Sequence, residues 1–149
     1  MQQKFCSVIK HKKQMYIERH AYANGPRCTV FPPKPLYRGL ALEQFAEEID
    51  SALNEYSSLG RPIYPQEWKE REDQLLAYFC EKSSAAFQRK KKVDITIRYD
   101  TARRKYVLLD DGATDAIAEV DSAIDAARVI YDRIGEPTTE PPAVGELRA

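Results

Sequence analysis

The sequence predicts an α+β fold in which two sheet-plus-helix units share one antiparallel sheet and are joined by a long helix. Three features carry that prediction. Short runs of alternating apolar and polar residues occupy the stretches 4–31 and 93–120, each followed by an amphipathic helical pattern, and a further helical pattern fills 65–88 between them. Of the 149 residues, 43% are hydrophobic and 31% charged, a globular composition. A chain of this length buries roughly two-thirds of its unfolded surface without staples. One domain over 1–136 is expected, with a flexible tail over 137–149.

The first unit opens with three strand patterns, Phe5 to Lys10, Gln14 to Tyr22 and Arg27 to Phe31, separated by turn signals at His11-Lys12-Lys13 and Asn24-Gly25-Pro26. In the middle run Met15, Ile17 and Ala21 alternate with Tyr16, Glu18, His20 and Tyr22. The first set is predicted to face the core and the second to face water. Pro32, Pro33 and Pro35 predict a stiff, unpaired connector up to Gly39. Leu42, Phe45, Ile49, Leu53 and Tyr56 then mark the apolar face of a helix ended by Gly60 and Pro62.

Pro65 suits a first helical turn, and Trp68, Leu75, Leu76, Phe79, Ala86 and Phe87 recur at roughly helical period, predicting one long helix to about residue 88. Val93, Ile95, Ile97 and Tyr99 alternate with Asp94, Thr96, Arg98 and Asp100, which predicts a strand with one wet face. A return strand follows from Lys105 to Leu109, broken at Asp110-Asp111-Gly112, and Ala116 to Val120 reads as a short third strand. Asp121 or Ser122 caps a last helix carrying Ile124, Ala127, Ile130, Tyr131 and Ile134, ended by Gly135 and Pro137. Residues 4–57 and 93–135 thus share one order of elements, an internal repeat of pattern without residue identity.

The formal net charge is zero, but its distribution is uneven. Residues 1–36 hold seven Lys or Arg against one acid, net +6, and 37–88 hold five against ten, net −5. Residues 89–105 hold eight against two, net +6, and 106–149 hold three against ten, net −7. Strands sharing one sheet would therefore present a basic surface, and the helices an acidic one. Lys10, Lys12, Lys13, Lys91, Arg98, Arg103, Arg104 and Lys105, with Tyr16, His20 and Tyr22 as flat rings on the wet face, are the candidate contacts for nucleic acid or an acidic protein partner. Positive charge along a backbone plus rings for bases is what sequence-tolerant single-strand binding requires.

Met15 through the proline-rich turn to the helix Leu42–Tyr56, and Ile95 through Tyr131, together resemble the purine-rich-element-binding and Whirly architectures. That resemblance implies binding of single-stranded nucleic acid on a curved sheet. Sheet-plus-helix modules of this kind also occur in bacterial immunity proteins, which implies the alternative of a small inhibitor that neutralises a toxin, nuclease or defence complex.

Other chemistry finds little support. Cys6, Cys28 and Cys80 are widely spaced with no CxxC pair, and read as small buried hydrophobes of a reducing cytoplasm. The two histidines, His11 and His20, leave Cys6 or Cys28 with His20 as the conceivable nucleophilic pair. Six isolated glycines build no phosphate-cradling loop, so no cofactor is expected, and Asp110-Asp111 with Asp115 reads as a turn in preference to a metal site. The basic N-terminus lacks the apolar run of a signal peptide, and no window holds about 18 uninterrupted apolar residues, so a non-catalytic cytoplasmic protein without a membrane span is expected.

Overall fold

A computed structural model describes residues 3–24, 26–110 and 115–142, the side chain of Lys92 excepted. The predicted turns at Gly25 and at Asp111-Gly112, and the tail beyond residue 142, lie outside the described residues. The elements run β1 (Gln3–His11), β2 (Gln14–Tyr22), β3 (Arg27–Leu36), α1 (Leu42–Asn54), β4 (Ser57–Ser58), α2 (Pro65–Tyr78), α3 (Ser84–Lys90), β5 (Lys91–Asp100), β6 (Lys105–Asp110), β7 (Ala116–Val120) and α4 (Ala123–Ile134).

The two halves share one seven-stranded sheet in the order β3-β2-β1-β5-β6-β7, with β4 pairing β2 in parallel. The first strand of each unit, β1 and β5, forms the antiparallel seam, with Val8 opposite Ile95 and Cys6 opposite Ile97. Each half is thus a three-stranded meander followed by a helix, and the meanders join back to back. The fold is α+β as predicted.

Period-two alternation puts Cys6, Val8, Met15, Ile17, Ile95, Ile97 and Leu108 on one face, all buried. The apolar stripes of α1 and α4 cover them: Phe45, Ile49 and Leu53 from one helix, Ala126, Ala127 and Ile130 from the other. The Phe45 and Tyr131 rings stack with centroids 5.0 Å apart, and the Tyr131 hydroxyl donates to the Leu40 carbonyl at 2.7 Å. Ser122 caps α4 by accepting from the Asp125 N–H, and Gly135 ends it with φ +87°.

The opposite face is not wholly open. One end packs beneath α2 and α3, where Ile9, Phe79 and Phe87 form a second cluster with half-buried Tyr16, Leu75 and Leu76. The single helix predicted over 65–88 is two helices, because Cys80 adopts φ +55° and Ser83 starts a new helix by accepting from the Ala86 N–H. That break turns Phe79 and Phe87 toward the sheet together.

Two further expectations are corrected, and one element is added. The prolines do not end pairing: β3 continues to Leu36, with Lys34 opposite Ile17 and Pro35 opposite Tyr16, because β3 is an edge strand whose outer side needs no donors. Ser57–Ser58 adds a short parallel strand that no periodicity announced. The first residues of the expected flexible tail are docked: Pro137 is buried, and the Arg38 N–H donates to the Thr139 carbonyl at 2.9 Å. No described helix is long and apolar enough to cross a membrane.

Candidate nucleic-acid interface

The register divides the predicted contact residues between the two ends of the sheet. Lys10, Lys12, Lys13, Tyr16 and Lys91 lie at the end marked by the β1–β2 turn, while His20, Tyr22, Arg98, Arg103, Arg104 and Lys105 lie at the end marked by the β5–β6 turn. Nine residues of extended strand separate these ends by about 30 Å.

At the β1–β2 end the positive charge is mostly consumed internally. Glu81, whose side chain is 1% exposed, accepts from His11 at 3.1 Å, Lys12 at 3.2 Å and Lys90 at 3.0 Å. Burial alone would raise the Glu81 carboxyl, but these donors outweigh it and hold the group down at about 2. Burial pushes His11 below its usual value against the pull of Glu81, and its ring packs against both Phe79 and Phe87. Lys91 pairs with Asp94 at 2.9 Å, and Lys10 reaches the Ile134 carbonyl at the end of α4. Tyr16 is no open platform either, since Phe79 meets its ring edge-on at 5.0 Å. Lys13 extends from the turn and makes no ion pair among the described residues.

The opposite end is arranged differently. Arg27 pairs with Tyr22 across the β2–β3 hairpin, and its guanidinium carbon lies 3.8 Å from the centroid of the Phe5 ring. Phe5 in turn pairs with Arg98 across the seam. One guanidinium therefore covers the ring and a second arginine stands at the facing register position, and neither makes an ion pair among the described residues. The Arg98 Nε is buried without any hydrogen-bond partner. Burial pushes Arg27 below its usual value and the Arg98 charge acts in the same direction, with Asp94 opposing. Tyr22 is 37% exposed beside them, and Arg104 stands in the β5–β6 turn at φ +55° with no ion pair among the described residues. Arg103 and Lys105 are held by Glu119 and Asp121 in exposed pairs, which contribute little and exchange readily.

His20 is displaced from its predicted role as a surface ring. It is buried, its Nε2 2.8 Å from the Ser7 Oγ, while the Ser7 hydroxyl donates to Glu18 at 3.1 Å. With that proton given to Glu18, His20 serves as donor to Ser7 through Nε2–H, and its Nδ1 has no partner. Burial, with Arg27 adding to it, holds His20 down to about 4. Neutral His20 thus donates to Ser7 and does not act as its base. Cys6 projects to the other face among core residues, where burial pushes its thiol far up, so the conceivable Cys6–His20 pair does not form.

Phe5 and Arg27 escaped the sequence reading. Counting the β2–β3 hairpin outward from its turn sets Arg27 opposite Tyr22, and that count was the signal available. Among the described residues no three His, Cys, Asp or Glu side chains group as a metal site. A 410 Å³ groove between β3 and α1 has its charges matched, Lys34 with Glu48 and Arg19 with Glu55.

No family model matches the chain, and no curated protein matches it. A solved structure of a protein of unknown function from Neisseria meningitidis is similar, with a TM-score of 0.66 at 13% identity, over 89% of this chain and 95% of that one. Likeness at that identity is a likeness of fold.

Proposed function

We propose that this protein is a non-catalytic binder of single-stranded nucleic acid, and that it binds at the Tyr22–Arg27–Arg98–Arg104 end of its sheet. The observation that carries the reading is the pair Arg27 and Arg98, two guanidiniums on an incompletely covered sheet face that make no ion pair among the described residues. Phosphates supply the missing negative charge. Tyr22 offers a ring on which a base stacks for about 1–3 kcal/mol. The three unpaired cysteines suit a reducing cytoplasm, where such a partner is met.

Fluorescence anisotropy with a labelled oligonucleotide tests this. Two phosphate contacts, one at Arg27 and Arg98 together and one at Arg104, predict that log K falls with log salt at a slope of about −1.4. Absence of binding at low salt sinks the reading.

A second reading, an inhibitor or immunity-type protein, is favoured by a separate surface. Tyr64 is 66% exposed and Phe31, Trp68 and Tyr78 each 37%, around α2 and the outer edge of β3. α2 buries none of its residues. Aromatic residues at this density suit a protein interface. An equimolar complex with a purified partner that is lost in Trp68→Ala, with oligonucleotide binding absent, would favour this alternative.

A further inference from the structure

We infer that Arg27 and Arg98 together form a discrete seat for one phosphate group, held above the edge of the Phe5 ring. This rests on the nucleic-acid reading and narrows it, from a charged end of a sheet to a clamp with a fixed centre.

Three observations converge on the same point. The first is position. Arg27 begins β3 and Arg98 lies on β5, yet the Arg27 guanidinium crosses β2 to reach Phe5 on β1, whose cross-strand partner is Arg98. Strands spaced about 4.8 Å apart would otherwise keep the two cations some three spacings away from each other.

The second is fixation. Stacked on Phe5, Arg27 has surrendered much of its rotamer freedom before any ligand arrives. A guanidinium seated 3.8 Å over a ring still has N–H groups at its rim, and these are the groups that fork onto an oxyanion. The cost of ordering the side chain has been met in the free protein.

The third is an unanswered donor. A buried N–H without an acceptor is costly, and the Arg98 Nε is such a donor. Other cations nearby have found carboxylates: Arg103 has Glu119 and Lys105 has Asp121. Arg27 and Arg98 have not, although acidic residues are plentiful in the chain. Two like charges in mutual range, one with an unpaired Nε–H, are relieved by one anion placed between them. Ser7 and Glu18 below are engaged with each other, so the anion rests on the arginines and not on the sheet backbone.

The test is a titration of the full chain with inorganic phosphate, followed by proton–nitrogen NMR of the arginine Nε–H signals. The expected result is a saturable shift of the Arg27 and Arg98 signals with one shared dissociation constant. Arg103 and Arg104 signals should move little. Arg27→Gln should weaken phosphate at least about tenfold as read on the remaining Arg98 signal, the scale of one lost charge-assisted pair.

Shifts that rise linearly without saturating, or that affect all arginines alike, overturn the clamp. Equal or tighter saturation by acetate overturns the phosphate assignment and makes the seat one for a carboxylate. The wider reading fails separately: a chain that shows the saturable phosphate response and binds no oligonucleotide keeps the clamp and loses the nucleic-acid function. One that binds oligonucleotide without the response keeps the function and loses the clamp.

Discussion

The Arg27 guanidinium lies 3.8 Å from the centre of the Phe5 ring, so a residue of the edge strand is anchored on the central seam of the sheet. That contact places positive charge where the strand order alone would not. On the proposed reading, half-buried Phe5 helps to set the binding geometry. Phe5→Leu keeps an apolar side chain and removes the π-face. It is expected to leave the thermal midpoint close to that of the parent and to weaken oligonucleotide binding about two- to fivefold, the scale of one exposed cation–π contact. Anisotropy titration and a melting curve on the same sample read both.

His20 gives the fold a defined response to acid. Its unfolded value is near 6.5 and its folded value about 4, so between these pH values the unfolded chain takes up a proton that the folded chain refuses. The stabilisation is therefore complete above pH 6.5 and lost as pH falls toward 4, on the order of 3 kcal/mol in all. His20→Gln retains a donor for Ser7 but does not titrate. Urea midpoints measured across this window should fall more steeply for the parent than for the variant, and parallel curves would contradict the burial of a neutral imidazole.

Glu81 is the tie between the first hairpin and the α2–α3 break. Its carboxylate receives His11, Lys12 and Lys90 at once, which brings β1, the turn and α3 to one point. Glu81→Gln leaves those donors facing an amide. A lower melting temperature is expected, with faster amide exchange in α2 and α3 than in α1 and α4. Uniform exchange across all four helices would show that α2 and α3 do not depend on this contact.

Phe45 stacks on Tyr131 where α1 meets α4 and is fully buried. Phe45→Ala should cost about 3–5 kcal/mol by chemical denaturation, the usual penalty for emptying a buried aromatic site. A much smaller loss would mean that the two helices close over the vacancy.

The elements of the core were legible because one face of the sheet and one stripe of each helix are apolar. Met15 and Ile17 in β2, Ile95 and Ile97 in β5, and Phe45 and Ile49 in α1 all lie where period two or period 3.6 puts them. The second face was misread for the same reason. Tyr16, Glu18 and His20 alternate correctly, but alternation only says that they leave the main core, not that water meets them. Ile9 on the same face is buried under Phe79 and Phe87, a contact that depends on the Cys80 backbone and not on any periodic pattern. Prolines in β3 misled because the rule against pairing is weak at a sheet edge.

Charge was legible by segment but not by partner. The strand-rich blocks are basic as counted, yet Lys12, Lys90 and Lys91 are neutralised by Glu81 and Asp94, which lie far from them or close by in sequence without a common pattern. What remains unneutralised is set by tertiary contacts. Arg98 was visible as a candidate; the companion that gives it meaning, Arg27, was visible only as the residue after a turn.

The most direct measurement compares two triple variants for salt-dependent binding of one labelled oligonucleotide. Arg27→Gln, Arg98→Gln and Arg104→Gln together should abolish most of the affinity and reduce the salt slope from about −1.4 toward zero, whereas Lys10→Gln, Lys12→Gln and Lys13→Gln together should leave the slope nearly unchanged. Loss of slope in the lysine variant with retention in the arginine variant would contradict the account.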